Sequence, residues 1–151
     1  MKRQALNGFT LIELIVVIIL VAIVSLYAAS RYIGKDSFAA FVAQEQVISV
    51  IRQIQVSRMQ SNLADGTSSD AYTLTVLPNC VGSVAGCSNT ADGRSDWVAE
   101  SGVTFSPFTS RLEFNLLGEP DQVITIQIIA SGSQCSVNIA ANGYVSKEGC
   151  S

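Results

Sequence analysis

The sequence predicts an α+β fold: a long N-terminal helix crosses a membrane with its first half and lies on a C-terminal antiparallel β-sheet domain with its second. Three observations carry this expectation. Residues 14–30 are a run of 17 side chains without a charge. Residues 43–54 repeat apolar side chains at spacings of three and four, the stripe of an amphipathic helix. Beyond residue 72 the chain breaks into short, β-rich segments separated by turn residues. A length of 151 residues leaves room for one modest domain beside the apolar segment, not for two independent cores.

The first eight residues read MKRQALNG, with Lys2 and Arg3 near the start and Gly8 directly before the apolar segment. In a secretory signal the apolar core comes first and the small-residue cleavage site follows it. Here the order is reversed, so a cut after Gly8 leaves the apolar segment attached and residues 1–8 are expected to be a leader. The segment 9–29 is rich in Val and Ile, but a bilayer offers no partners for backbone polar groups, and a single crossing must therefore be helical. Its 21 residues span roughly 31 Å, which matches a hydrocarbon core of about 30 Å. Lys2 and Arg3 are balanced by Arg31 and Lys35 across the span, so flanking charge does not set the orientation.

Glu13 is the anomaly of this segment, since an ionised carboxylate costs about 2.5–3.5 kcal/mol at the membrane centre. Two compensations are available. One is the interface and the positive end of the helix; the other is the amine that cleavage would expose at Phe9, supplied by a neighbouring copy packed away from water.

Past Arg31 the charges return, and Ala43, Val47, Val50, Ile51 and Ile54 mark a helical face that can lie on a core. Gln44, Glu45, Gln53 and Gln55 are expected on its wet face. Gly34 is a possible bend, at a cost of about 1 kcal/mol against alanine. Asp65 and Gly66 give the first plausible stop, which predicts one helix over residues 9–62, 54 residues and roughly 80 Å long. Residues 63–151 form the head domain, with strands expected at 72–77, 97–99, 103–105, 111–116, 123–130 and 135–140. Asn142 and Gly143 predict a hairpin turn returning through 144–146, and residues 118–121 another turn. Residues 78–96 show no clear period.

Cys80, Cys87, Cys135 and Cys150 all follow the apolar segment, and an even count in a small loop-rich domain points to disulfides and an oxidising compartment. Nearest-neighbour pairing is favoured among three possible connectivities. The chain has no His, and neither close Cys pair has zinc-knuckle spacing, so neither a metal nor a cofactor is expected. The missing His and the absence of a nucleophile-elbow pattern argue against catalysis. Asp65, Asp70, Asp92, Asp96, Glu100, Glu119 and Asp121 fit solvated turns, with calcium at Asp92 and Asp96 as a lesser alternative. Trp97, Phe105, Phe108 and Phe114 are expected in the core. The formal charge of −3 becomes −5 without the leader, 7 basic against 12 acidic side chains, and no basic patch recommends nucleic acid.

Gly8, Phe9, Thr10, Leu11, Ile12 and Glu13, after a short basic leader and before an uninterrupted apolar run, resemble the signature of type IV prepilins and the related pseudopilins. That resemblance implies cleavage between Gly8 and Phe9 by a membrane-embedded prepilin peptidase, N-methylation of Phe9, and a role for Glu13 in registering each subunit against its neighbour. It also implies an inner-membrane precursor with a periplasmic head, and an assembly platform that moves it from lipid into a surface filament of other pilin subunits. Ala22 and Ser30 stand where many major pilins carry glycine and proline, which favours a minor subunit. The leader and cysteine placement are similar to minor pilins of the mannose-sensitive haemagglutinin pilus. The segment between Cys135 and Cys150 resembles the C-terminal disulfide-bounded region of many type IV pilins, read either as a contact or adhesion surface or as a staple. The alternatives are a minor pseudopilin of type II secretion, built on the same plan, a membrane-tethered periplasmic binding domain, and a secreted protein released after residues 28–30.

Overall fold

The computed structural model describes residues 9–32, 36–90 and 93–151. The expected leader with Gly8, the bend expected at Gly34, and Asp92 of the calcium alternative lie outside these residues. The chain divides into two compact units, Met1–Lys35 and Asp36–Ser151.

In the first unit, helix α1 runs over Leu11–Tyr32. Its side chains are exposed from residue 11 to residue 28, all round the helix. A helix apolar on every face needs an apolar solvent or other helices around it. Ser25 meets its own need for a partner by donating to the Val21 carbonyl oxygen at 2.7 Å, one turn back.

The second unit begins with helix α2, Asp36–Met59. Ala40, Ala43, Val47, Val50, Ile51 and Ile54 are buried along one face, as helical spacing requires. There follow β1 (Thr73–Leu77), β2 (Cys80–Ser83), the short helix α3 (Val84–Ser88), β3 (Trp97–Val98), β4 (Val103–Ser106), β5 (Thr109–Glu113), β6 (Ile124–Ala130), β7 (Ser133–Ile139) and β8 (Val145–Glu148). They form two antiparallel sheets, ordered β3-β2-β1-β5 and β4-β6-β7-β8. Helix α2 packs on both sheets and closes one core over them. Along β6 and β7 the buried residues alternate, Ile124, Ile126 and Ile128 against Cys135, Val137 and Ile139, which fixes the register of the pair.

Several expectations change at this level. Gln44 and Gln55 are not on the wet face of α2 but are buried, as is Arg58. All three fall on the apolar stripe, and each is satisfied by backbone carbonyls of the surrounding structure. The Gln44 Nε2 donates to the carbonyls of Ser136 and Glu148, which face each other across β7 and β8. The Gln55 Nε2 donates to those of Gly118 and Gly143, both at 2.8 Å. Helix α2 therefore ends at Met59 rather than at Asn62, because Arg58 turns the following chain back on itself. Its Nε donates to Phe114 O, Nη1 to Ser61 Oγ and Leu63 O, and Nη2 to Ala64 O, with Asp65 Oδ1 at 3.6 Å.

The stretch 78–96 contains β2 and α3. Strand β2 is buried on both faces and shows no alternation, and its Gly82 is required by the close approach of β3. A Cβ there would lie 2.5 Å from the Asp96 carbonyl oxygen and from Trp97 Cα. The fifth strand also shifts, to Thr109–Glu113, because Asn115 begins a turn instead of continuing it. The Asn115 Oδ1 accepts from the backbone N–H groups of Leu117 and Glu119, and Gly118 takes a φ of +81°. Of the aromatics expected inside, Phe105 and Phe114 are buried and Trp97 is half-buried, but Phe108 is exposed next to the cis Ser106–Pro107 peptide.

Candidate functional site

The site indicated by the sequence is the start of α1. Phe9 and Thr10 precede the helix and are exposed. The Thr10 carbonyl oxygen accepts the first helical bond, from Leu14 N at 3.2 Å, and the Thr10 Oγ1 accepts from Glu13 N at 3.3 Å. Thr10 is thus the N-cap, and Glu13 stands three residues on, in the first turn. This T-x-x-E spacing is that of a capping box, in which the hydroxyl satisfies one otherwise unpaired N–H and the acid lies among the others. Thr10 therefore has a role of its own in the site, as the cap, and the T-x-x-E pattern before an apolar run is the signal that reveals it.

The electrostatics follow from that position. Glu13 is exposed and has no ion-pair partner among the described residues. The unpaired N–H groups at the helix start place partial positive charge beside its carboxylate, typically worth 0.3–1 kcal/mol at an exposed site. That is less than the cost of carrying the charge to the membrane centre. The end of the helix can hold the carboxylate at an interface, and a deeper position requires a further cation. By length and composition, residues Leu11–Ala28 suffice to cross a membrane.

The four cysteines lie in the other unit. Cys80 is bonded to Cys87 and Cys135 to Cys150. The first bridge ties the start of β2 to α3, where Ser83 Oγ caps the helix by accepting from Gly86 N. The second clasps the open end of the β7–β8 hairpin, and Ser151 exchanges two backbone hydrogen bonds with Gln134 just outside it. The segment 136–149 is therefore a hairpin within a sheet and under α2, rather than a free surface loop. Asp96, half of the calcium alternative, is already engaged by Ser83 Oγ and by two hydrogen bonds from Arg94. Partial burial raises its pKa, but the hydrogen bonds from Arg94 and Ser83 outweigh that and hold the carboxyl below its ordinary value.

Residues 3–29 match the family model of the prokaryotic N-terminal methylation motif. No curated protein and no solved structure matches the chain. The matched segment contains Phe9, the capped start of α1 and most of the exposed apolar helix, so it is this N-terminal segment that is similar to the methylation motif of type IV pilins and pseudopilins, and the match does not extend into the Asp36–Ser151 unit.

Proposed function

We propose that this chain is a minor structural subunit of a type IV pilus, which takes part in attachment. It is made as a precursor in the inner membrane, cut between Gly8 and Phe9 by a prepilin peptidase and methylated on Phe9. Helix α1 holds it in lipid with the disulfide-bonded domain in the periplasm, and the assembly platform transfers it into the filament. The observation that carries this reading is a fully exposed apolar helix that starts at a capped Thr10 with one carboxylate in its first turn. In that setting the Phe9 amine of one subunit meets Glu13 of the next, and both charges leave water together.

Mass spectrometry of the chain from its host tests the processing: a mature N-terminus at methylated Phe9 is expected, and a start at Met1 or near Arg31 would refute it. Glu13→Gln should leave the chain in the membrane fraction while removing it from sheared fibres. Ala22 and Ser30 fit a minor pseudopilin of type II secretion as well. Deletion separates the two: loss of fibres and attachment is expected here, whereas exoproteins accumulating in the periplasm with fibres intact would favour the pseudopilin.

A further inference from the structure

The end of the Asp36–Ser151 unit at which α2 stops carries an apolar patch. Leu117, in the turn after β5, is 73 % exposed, Tyr144, in the turn between β7 and β8, 64 %, and Met59, the last residue of α2, 48 %. Gln55 brings them together, since its Nε2 holds the carbonyls of Gly118 and Gly143 at once. A Cβ at Gly118 would lie 3.1 Å from Met59 Sδ, so that turn rests on the end of the helix. The Asn115 Oδ1 and Asn142 Oδ1 lock the two turns internally. The patch is thus presented in a fixed shape, which lowers the ordering cost of docking. Exposed apolar side chains gathered at one end of a domain and rimmed by polar residues have the pattern of an interaction site.

Its rim is acidic. Asp65, Glu113, Glu119 and Asp121 line an open groove of about 260 Å³ beside the Leu117 turn. Leu116 N donates to Asp65 Oδ1, which joins groove and patch. Glu119 and Asp121 have no cation within ion-pair distance among the described residues. Of the described cations of the domain, a second copy offers Arg52 alone without a carboxylate partner of its own. Arg58 is buried, Arg94, Arg111 and Lys147 are paired with carboxylates of their own chain, and Arg52 donates to the Val145 carbonyl.

We propose that this patch docks a different protein, one that presents an apolar cleft edged with Lys or Arg. The inference rests on the chain being a subunit of an assembly, and it adds that one contact is heterologous and electrostatically matched. The test places a photo-crosslinking residue at Leu117 of the full chain in its host, with Phe108, similarly exposed at 65 %, as the control position. The expected result is an adduct with another protein whose crosslinked peptide carries Lys or Arg, formed from Leu117 and not from Phe108. Glu119→Gln with Asp121→Asn keeps the acceptor oxygens of the turns and should lower the yield about fivefold. Glu119→Lys with Asp121→Lys should lower it further. An adduct with a second copy, equal adducts from both positions, or a yield indifferent to these charges overturns the proposal. The N-terminus of the same sample separates the two readings: a chain that starts at Phe9 and gives no adduct overturns the docking surface alone.

Discussion

Replacing Arg58 by Lys keeps the charge and removes the geometry, which makes it the sharpest probe of the buried polar positions on α2. The guanidinium has five N–H groups. Four of them meet Phe114 O, Ser61 Oγ, Leu63 O and Ala64 O at 2.8–3.1 Å, and the fifth faces Asp65 Oδ1 at 3.6 Å. An ammonium has three donors at one point and cannot span this fork, so at least two bonds are lost. At about 1 kcal/mol net for each, Arg58→Lys should destabilise the domain by about 2 kcal/mol. Arg58→Ala also leaves the carbonyls unpartnered and a cavity, and should cost about 3–5 kcal/mol. For a domain of this size these are losses of roughly 8 °C and more than 12 °C in Tm. Thermal unfolding of the full chain in detergent, disulfides intact, reads both. If Arg58→Lys stays within about 0.5 kcal/mol of the parent, the fork geometry is not what holds residues 60–66 and the reasoning fails.

Gln55→Ala should cost about 2 kcal/mol by the same measurement, since two carbonyls lose one shared amide, and amide exchange should quicken in both turns while β6 stays protected. Asp96→Asn should cost no more than about 1 kcal/mol near neutral pH, because Arg94 is partly solvent-exposed. The folded-state pKa of Asp96 is depressed, so its contribution is present above the unfolded-state pKa and is lost as pH falls through the folded value. Parent and variant should therefore begin to converge in urea titrations as pH falls below about 4, and should meet only below the depressed folded-state value. Removing Cys135–Cys150 should cost about 3 kcal/mol and removing Cys80–Cys87 somewhat less, in the order of the loops they close, 15 and 7 residues.

What is legible in the sequence is what periodicity and composition encode. Helix α1 declares itself through an uninterrupted apolar run, and β6 and β7 through alternation against a single core. Strand β2 escapes because Val81 and Gly82 are buried with their neighbours, and a short run covered on both faces has no period to detect. The polar residues of α2 escape for a different reason. Gln44, Gln55 and Arg58 sit at core positions by spacing, yet a polar side chain reads as solvated until the carbonyls it serves are in place. Apart from Leu63 and Ala64 beside Arg58, those carbonyls belong to Ser136, Glu148, Gly118, Gly143 and Phe114, from 56 to 104 residues away. At the N-terminus the chemistry of Glu13 is local and readable, as is the cap at Thr10.

The two disulfides also decide how the domain responds to force. Each bridge closes a covalent ring, one over residues 80–87 and one over 135–150. A chain pulled between α1 and its last residue can unravel α2 and the strands outside the rings, but not the β7–β8 hairpin beyond its clasp. At about 3.4 Å per residue the rings withhold roughly 65 Å of extension. Under an oxidising solvent the domain should therefore rupture short of its full contour length, and a reductant should lengthen that step without touching the anchor. A subunit carrying load along a fibre would keep its last hairpin closed after the rest of the domain has given way.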